Sequence, residues 1–258
     1  MKTPLISIVI PSYNKVKYIG KTLESIVTQS YKKIEVIIQD GGSTDGTLEI
    51  IKKYCSKFPS LIVYETKKDK GQLDAVNKGM LKTTGELITF INADDCYEQG
   101  ALEKVAKSFE RNPKSLWFAG MSRVVDEKDQ EIAKLVTWYK NILLKINNYN
   151  LLLITNYMMQ PSVFITKAAF NKYGPFTGTD EFIMEYDMWL RLGKYKMPVI
   201  LKMNLSKFRI EYTTKTKRIF KKLLIEDEKL VNYYTTNIII LILHKLHNIG
   251  RIFVEKFV

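Results

Sequence analysis

The stretch Leu87-Ile88-Thr89-Phe90-Ile91-Asn92-Ala93-Asp94-Asp95 joins an apolar run to two adjacent carboxylates. An apolar run of this length predicts a buried strand. Adjacent aspartates repel each other and resist burial, so their position at the tip of a strand favours a cation bound there. The carboxyl end of a strand is also where open α/β sheets bind ligands. The alternative is a solvated Asp-Asp turn that begins the next helix.

Apolar runs and helical periodicity alternate four times before Lys114. This alternation predicts an α/β fold with a mainly parallel sheet flanked by helices. The predicted strands are Leu5–Ile10, Ile34–Gln39, Leu61–Glu65 and Leu87–Ile91. Beyond Lys114 the pattern predicts an antiparallel hairpin of Leu116–Val125 and Ile132–Thr137, a helix within Ile142–Tyr157, a strand at Ser162–Thr166 and a helix at Glu185–Gly193.

Charge is distributed unevenly along the 258 residues, whose formal net charge is +13. From Lys194 onward the chain carries 14 Lys/Arg against five Asp/Glu. Such a block suits nucleic acid, an anionic membrane surface or an anionic substrate. No zinc-finger, RNP or Gly-x-x-Gly signature accompanies it, so we predict no specific nucleic-acid partner. Cys55 and Cys96 form no disulfide framework, and we expect both to stay reduced in the cytoplasm.

A second polar segment, Asp40-Gly41-Gly42-Ser43-Thr44-Asp45-Gly46-Thr47, follows the second predicted strand. Its glycines permit positive φ angles and a close approach to the backbone. The segment lacks the glycine order of a dinucleotide-binding fold and the Gly-Lys-Ser/Thr of a P-loop, which argues against NAD and ATP. An aspartate at this strand tip suits hydrogen bonds to a ribose or a base edge. The alternative is an Asx-rich turn before a helix.

Six segments resemble motifs of the family 2 glycosyltransferases, both in their residues and in their order along the chain. They are Ser7–Asn14, Asp40–Thr47, Lys70–Gly79, Asn92–Asp95, Gln160–Phe164 and Glu185–Leu192. The resemblance covers the chain to about Gly193. It implies the glycosyltransferase-A fold, a nucleotide-sugar donor, Mn²⁺ or Mg²⁺ as cofactor, and inversion at the anomeric carbon. We predict a catalytic domain over 1–214, with a nucleotide-sugar half at about 1–115 and an acceptor half at about 116–214.

The resemblance also implies roles for individual residues. Asp95, at the last position of the Asp-x-Asp-like element, would bind the metal, and Asp94 would reach the ribose or the metal. Gln160 would border the acceptor. Separately, Trp189 could stack on a ring of the acceptor sugar, although aromatic residues in a chain of this size more often belong to a core or an interface. The remaining residues implied to contact the nucleotide sugar are Pro11, Tyr13, Asp40, Lys70, Asp74 and Asn77.

Inversion requires a base that deprotonates the acceptor hydroxyl, and Glu185 and Asp187 are the two candidates. Residues two positions apart do not share a helix face, so we expect one of them to point into the cleft. Asp187 can pair with Arg191 four residues on, which is a structural alternative to catalysis. We favour Glu185, which stands where relatives usually carry an aspartate.

The C-terminal stretch 215–258 is predicted to be a basic amphipathic helical extension. Its apolar stripe is Ile239, Ile242, Leu246, Ile249, Phe253 and Phe257, and a basic cluster upstream is Lys215, Lys217, Arg218, Lys221 and Lys222. Three partners remain open for the stripe: an anionic membrane surface, a second subunit in a homo-oligomer, or the chain's own domain.

These patterns together predict an inverting, metal-dependent glycosyltransferase on the inner face of the cell membrane. Its donor would be a UDP- or dTDP-sugar, and its acceptor a hydroxyl of a saccharide, either a lipid-linked or a surface-polysaccharide precursor. One alternative keeps the fold but makes a polyprenol phosphate the direct acceptor. Another is a non-catalytic nucleotide-sugar-binding protein.

Overall fold

The computed structural model describes residues 3–178, 183–211 and 215–255; for 215–221 and 253–255 it describes the backbone alone. Within these ranges one mixed sheet contains all the strands, in the order β3-β2-β1-β4-β8-β6-β9-β5, with β7 paired to β6. The strands are β1 (Ile6–Ser12), β2 (Ile34–Asp40), β3 (Ile62–Thr66), β4 (Leu87–Phe90), β5 (Cys96–Tyr97), β6 (Trp117–Val125), β7 (Glu131–Ile132), β8 (Val163–Thr166) and β9 (Val199–Arg209).

The first four strands run parallel, as the strand–helix alternation predicts. Strand β8 then pairs antiparallel with both β4 and β6, so the second half of the sheet is mixed. At the far edge, β5 pairs antiparallel with β9, where Cys96 lies opposite Lys207. Because β5 follows Asp94-Asp95 directly, this pairing brings the end of β9 to the tip of β4.

Helices cover both faces of the sheet. They are α1 (Ile19–Val27), α2 (Thr47–Lys57), α3 (Gln72–Lys82), α4 (Ala101–Arg111), α5 (Lys134–Ile146), α6 (Tyr149–Ile154), α7 (Lys167–Tyr173), α8 (Met184–Tyr195), α9 (Lys215–Tyr234) and α10 (Ile238–Glu255). Ile8 and Ile10 of β1 pack in a core with α1, α2 and α4, whereas Val9 points into a core with α3 and the later helices. Burial on both faces explains why these strands are continuous apolar runs.

Two predicted elements differ in the structure. The predicted antiparallel hairpin is present, because β7 pairs with β6, but its second strand ends at Ile132 and not at Thr137. Ala133 adopts a left-handed conformation (φ 50°) that ends β7, and helix α5 begins at Lys134. The single helix predicted within Ile142–Tyr157 is two helices. Asn147 (φ 52°) ends α5, and the Asn148 side chain accepts hydrogen bonds from the first turn of α6.

The C-terminal extension consists of α9 and α10, in agreement with the helical prediction for this region. Leu224, Val231 and Ile240 are buried, so both helices pack back onto the rest of the chain. Of the basic cluster predicted at the start of this extension, only the Lys222 side chain falls within the described residues; it is exposed. Among all helices that the structure describes, none is both long enough and apolar enough to cross a bilayer.

Helix α3 approaches β1 closely because Gly79 has no side chain. A Cβ at this position would lie 2.3 Å from Cγ1 of Val9. Although alanine favours helices, we expect Gly79→Ala to lower the free energy of unfolding by about 1–3 kcal/mol through overpacking. The matched control is Gly250→Ala in α10, where a Cβ would meet no atom within 4 Å. That change should raise the free energy of unfolding by about 0.5–1 kcal/mol. Urea titration measures both, and stabilisation by Gly79→Ala would contradict the close packing.

Candidate active site

A cavity of about 450 Å³ opens at the carboxyl ends of β1, β2 and β4. Its position is the one expected for a ligand site in an α/β sheet. It is lined by Pro11, Ser12, Tyr13, Lys15, Gly41, Lys68, Asp69, Gly71, Gln72, Ala75, Asn92, Ala93 and Asp94. Of the residues implicated by sequence, Pro11, Tyr13 and Asp94 therefore lie in its wall.

Asp40 lies behind this cavity and organises the loop that follows β2. One of its oxygens accepts hydrogen bonds from the backbone N–H groups of Gly42 (3.0 Å) and Ser43 (2.9 Å) and from the Thr66 hydroxyl (2.8 Å). The other accepts from the Ser43 hydroxyl at 2.5 Å. Asp40 also lines an adjoining cavity of about 360 Å³, which shares Asp69 with the first.

Three further residues predicted at the nucleotide, Lys70, Asp74 and Asn77, do not line the first cavity. Asp74 accepts the Lys70 N–H at 3.1 Å and pairs with Lys78 at 2.7 Å. Asn77 exchanges hydrogen bonds with the Phe176 backbone, at 2.9 and 3.0 Å. These contacts hold α3 in place. The Lys70–Gly79 segment instead contributes Gly71, Gln72 and Ala75 to the cavity, and Asp69 just before it also lines the wall.

The two adjacent aspartates occupy different environments. Asp94 points into the cavity, where Oδ2 lies 2.5 Å from the Lys15 ammonium. Asp95 is 1% exposed and accepts a hydrogen bond from the Arg209 N–H at 2.8 Å. Its Oδ2 is buried and has no partner in the described part of the chain. Burial, and then the negative charge of Asp94, raise the pKa of Asp95 well above its usual value.

Lys15 bridges two carboxylates that are distant in sequence. Its Nζ lies 2.5 Å from Asp94 and 2.5 Å from Oε1 of Glu211, just beyond the end of β9. Burial opposes the charged lysine, but both carboxylates outweigh it and raise the pKa of Lys15. Burial likewise opposes ionisation of Glu211, but the hydrogen bond from Lys15 outweighs it and lowers the pKa of Glu211. The carboxyl groups of Asp94 and Glu211 thus converge on one lysine of the cavity wall.

This donor set fits a hard divalent cation. Mg²⁺ takes one or two protein carboxylates and fills its other positions with water and ligand phosphates. Asp94 and Glu211 supply two oxygens where the structure already holds a positive charge. No cluster of three or more His, Cys, Asp or Glu side chains suited to a metal occurs in the described ranges, so the phosphates of a ligand would have to contribute.

Glu185 and Asp187 lie in the first turn of α8 and differ in their contacts. Asp187 pairs with Arg191 at 2.6 Å and accepts hydrogen bonds from Tyr234 (2.6 Å) and Thr177 (2.5 Å). These contacts agree with the alternative in which Asp187 has a structural role and not a catalytic one. Glu185 makes no ion pair with any residue that the structure describes, and burial raises its pKa to about 7. A carboxyl group with such a pKa exchanges its proton near neutrality, as a general base requires.

Helix α8 is connected to the tip of β4 by packed aromatic rings. Phe90 contacts Phe176, with ring centroids 5.5 Å apart, and Phe176 contacts Trp189 at 6.4 Å. The Trp189 ring also stacks on Trp117 at 5.5 Å and is 2% exposed. Trp189 is therefore a core residue here, not an exposed stacking surface for an acceptor sugar. Gln160 is buried too, and its amide donates to the Phe90 carbonyl at 2.6 Å.

Comparison with known protein families assigns the sequence of this chain to one of them. The sequence profile described as "Glycosyl transferase family 2" matches residues 7–174, well over half of the chain. The chain belongs to glycosyl transferase family 2. The predicted membership and enzyme class are confirmed.

Three relatives show how far the similarity of this glycosyltransferase extends. Glycosyltransferase GlyA of Streptococcus pneumoniae is 37% identical over 102 residues, 40% of this chain and 14% of GlyA. An uncharacterized glycosyltransferase of Haemophilus influenzae is 39% identical over 104 residues, 40% of this chain and 42% of that protein. A PGL/p-HBAD biosynthesis glycosyltransferase of Mycobacterium bovis is 26% identical over 200 residues, 74% of this chain and 70% of that protein. The chain thus spans less than half the length of the first two.

Solved structures agree on the fold of this glycosyltransferase. The mannosyltransferase PcManGT of Pyrobaculum calidifontis, in complex with GDP-Man and Mn²⁺, superposes with a TM-score of 0.70 at 16% identity, over 89% of this chain and 64% of that one. Residues 1–349 of S. aureus TarS, in complex with UDP-GlcNAc, superpose with a TM-score of 0.61 at 15% identity, over 89% of this chain and 71% of that one. The predicted glycosyltransferase-A fold is confirmed.

Sequence reasoning missed four charged residues at this site of the glycosyltransferase: Lys15, Lys68, Asp69 and Glu211. Asp69 immediately precedes the Lys70–Gly79 segment and could have been found there. Its carboxylate lies against Gly41, where a Cβ would come within 2.8 Å of Oδ2. Lys15 follows the first strand in an ordinary polar loop, and Glu211 is far from Asp94 in the chain. Neither carries a local signal.

Proposed function

We propose that this family 2 glycosyltransferase moves a sugar, with inversion, from a UDP- or dTDP-sugar to a hydroxyl of a lipid-linked or surface-polysaccharide precursor at the inner face of the cell membrane. The observation that supports this proposal most directly is that Asp94 and Lys15 line the cavity at the strand tips and that Glu211 pairs with the same lysine. The nucleotide sugars bound by the structural neighbours, UDP-GlcNAc and GDP-Man, support a donor of this class.

The nucleotide would lie along the wall formed by Pro11, Tyr13 and Asp69. Tyr13 is 62% exposed at the cavity, so its ring is available to cover a base. Asp69 adds a carboxylate that can accept hydrogen bonds from a ribose or a base edge. Asp40 would act one step back, by fixing the Gly42-Ser43 backbone that closes this side of the cavity.

Asp94 and Glu211 would hold the divalent cation, with Lys15 released from between them or retained beside the phosphates. A bound Mn²⁺ or Mg²⁺ neutralises charge that develops on a departing nucleoside diphosphate. This assignment differs from the prediction made from sequence, in which Asp95 binds the metal and Asp94 reaches the ribose or the metal. Asp95 is buried below the cavity and would support the site through its hydrogen bond to the Arg209 N–H.

Glu185 would accept the proton of the acceptor hydroxyl as that oxygen forms the new glycosidic bond. Its pKa of about 7 lets it lose and regain a proton near neutral pH. Asp187 would position α8 through Arg191 and Tyr234, not react itself.

A donor screen tests the proposed reaction class. Purified protein with Mn²⁺ is incubated with UDP-, dTDP- and GDP-sugars, and released nucleoside diphosphate is measured. We expect release from a subset of the donors and loss of the signal when EDTA removes the metal. Calorimetry with UDP and Mn²⁺ complements the screen. Heat without release from any donor would favour the non-catalytic binding protein, and neither heat nor release would contradict a nucleotide site.

A further inference from the structure

Helix α10 packs against the rest of the chain through Ile240 and a set of polar side chains. His244 and Asn248 are buried, at 3% and 2% exposure. His244 Nδ1 lies 3.0 Å from the Ile154 carbonyl, and Asn248 lies 3.0 Å from His244 Nε2. Arg251 pairs with Asp227 of α9 at 2.5 Å. Hydrogen bonds and an ion pair therefore fix the orientation of the helix.

The apolar side of α10 consequently points outward. Its large aliphatic side chains are between 41% and 65% exposed: Ile239, Ile242, Leu243, Leu246, Ile249 and Ile252. The alternative in which the predicted stripe packs on its own domain is therefore wrong for the described side chains; those of Phe253 and Phe257 lie outside them. A stripe of this length is unusual on a surface that stays in water.

Helix α5 extends this apolar surface. The Tyr139 ring stacks on His247 of α10, with centroids 6.2 Å apart. Leu135 and Trp138 lie on the same side of α5 as Tyr139 and are 83% and 64% exposed. We call these three residues and the six aliphatic residues of α10 the apolar face.

The charged side chains that α5 and α10 themselves contribute beside the apolar face are basic. Lys134, Lys145 and Lys245 are exposed on its two helices. Neither helix carries an acidic residue before Glu255. A two-fold contact between copies would place such like-charged rims together, which costs free energy. An anionic lipid surface instead complements them, and aromatic side chains such as Trp138 and Tyr139 favour the boundary between lipid and water.

We propose that the apolar face docks the protein on anionic lipid, with α10 lying in the plane of the interface. The Lys side chains would contact lipid phosphates, and the aliphatic stripe would enter the outer acyl region. This inference deepens the membrane location in the proposed function. Its test uses no substrate, so docking and glycosyl transfer can fail separately.

Trp138 provides a direct spectroscopic test, because the other two tryptophans, Trp117 and Trp189, are buried. The full chain is mixed with vesicles of phosphatidylcholine alone or with about one-third phosphatidylglycerol. With the anionic vesicles we expect a blue shift of tryptophan emission, quenching by brominated acyl chains, and flotation of the protein with lipid. Trp138→Phe should remove the fluorescence response while leaving flotation largely intact.

Two variants and one control assign the binding to this surface. Ile242→Ser combined with Leu246→Ser should lower the vesicle partition coefficient at least about tenfold. Lys145→Ala combined with Lys245→Ala should remove most of the preference for anionic lipid. Val63→Ser, on the exposed edge strand β3, changes an aliphatic residue of 58% exposure away from this face and should leave partitioning unchanged.

Two outcomes would overturn the proposal. One is that the parent protein fails to float with anionic vesicles. If sedimentation then showed a dimer that Ile242→Ser combined with Leu246→Ser dissociates, the apolar face would be a contact between two copies of the chain. The other is that these two substitutions leave vesicle binding unchanged. Circular dichroism of each variant verifies that loss of binding does not reflect loss of fold.

Discussion

Replacing Asp94 with alanine is expected to lower turnover by about a hundred- to a thousandfold, the range seen when one preorganised charge-stabilising group is removed. Of the two adjacent aspartates, Asp94 is the one that lines the cavity, and Lys15 places a positive charge 2.5 Å from its Oδ2. Removing the carboxylate takes away a proposed metal ligand and leaves Lys15 paired with Glu211. Initial rates at saturating Mn²⁺ and the affinity for Mn²⁺ in the presence of UDP, measured by electron paramagnetic resonance, should fall together.

Matched variants separate the metal role of Asp94 from a general loss of charge. Glu103→Ala removes an acid that also pairs with a lysine, Lys107 at 2.5 Å, but on the outer surface of α4. It should leave both measurements unchanged. Asp95→Asn should lower stability more than Mn²⁺ affinity, because Asp95 is buried and accepts the Arg209 N–H. If Asp95→Asn abolished Mn²⁺ binding and Asp94→Ala preserved it, the two roles would have to be exchanged.

Replacing Glu185 with glutamine is expected to slow transfer by about a hundred- to ten-thousandfold, the usual contribution of a general base. Burial raises the pKa of Glu185 to about 7, so the reactive carboxylate forms as pH rises through that value. The parent rate should therefore increase with pH around neutrality, and the residual rate of Glu185→Gln should lack this step. Donor binding, measured by calorimetry with UDP and Mn²⁺, should remain.

The same pKa shift predicts an effect on stability, with the opposite pH dependence. A carboxyl group whose pKa rises from 4.5 to about 7 on folding stabilises the fold below 4.5, and this contribution is lost as pH rises through about 7. Glu185→Gln should therefore gain stability relative to the parent as pH increases, which thermal melts at several pH values measure. A merely structural glutamate in an ion pair would show the reverse trend.

Asp187→Asn serves as the comparison for Glu185. It removes the charge that pairs with Arg191 and accepts from Tyr234, so we expect lower thermal stability without loss of the pH step in rate. If Glu185→Gln kept full turnover while Asp187→Asn lost it, Asp187 would be the base. If both kept turnover, a phosphate acceptor such as polyprenol phosphate, which needs no strong base, would be favoured.

Local sequence was sufficient to predict the parallel half of the sheet and one wall of the site. The runs that became β1, β2 and β4 are mainly apolar because both faces of the sheet are covered, and their polar ends mark the edge where a ligand site is expected. Asp94 follows from that rule, whereas Pro11 and Tyr13 were implied by the resemblance to family 2 glycosyltransferases. The elements of the C-terminal half were harder to predict. Ala133 and Asn147 both adopt positive φ angles there, and neither residue type requires such a conformation.

The sequence by itself therefore determined the order of strands and helices, the edge of the sheet that carries the candidate site, and the amphipathic character of α10. These features follow from hydrophobic periodicity and turn chemistry, which are local properties of the chain. Only the tertiary structure decided which acid faces the cavity, that Glu211 joins it, and which side of α10 faces outward. Pairing of β5 with β9 brings Glu211 to Asp94. Partners from α6 and α9 bury the polar side of α10. Such contacts join residues far apart in the chain, so no local pattern could specify them.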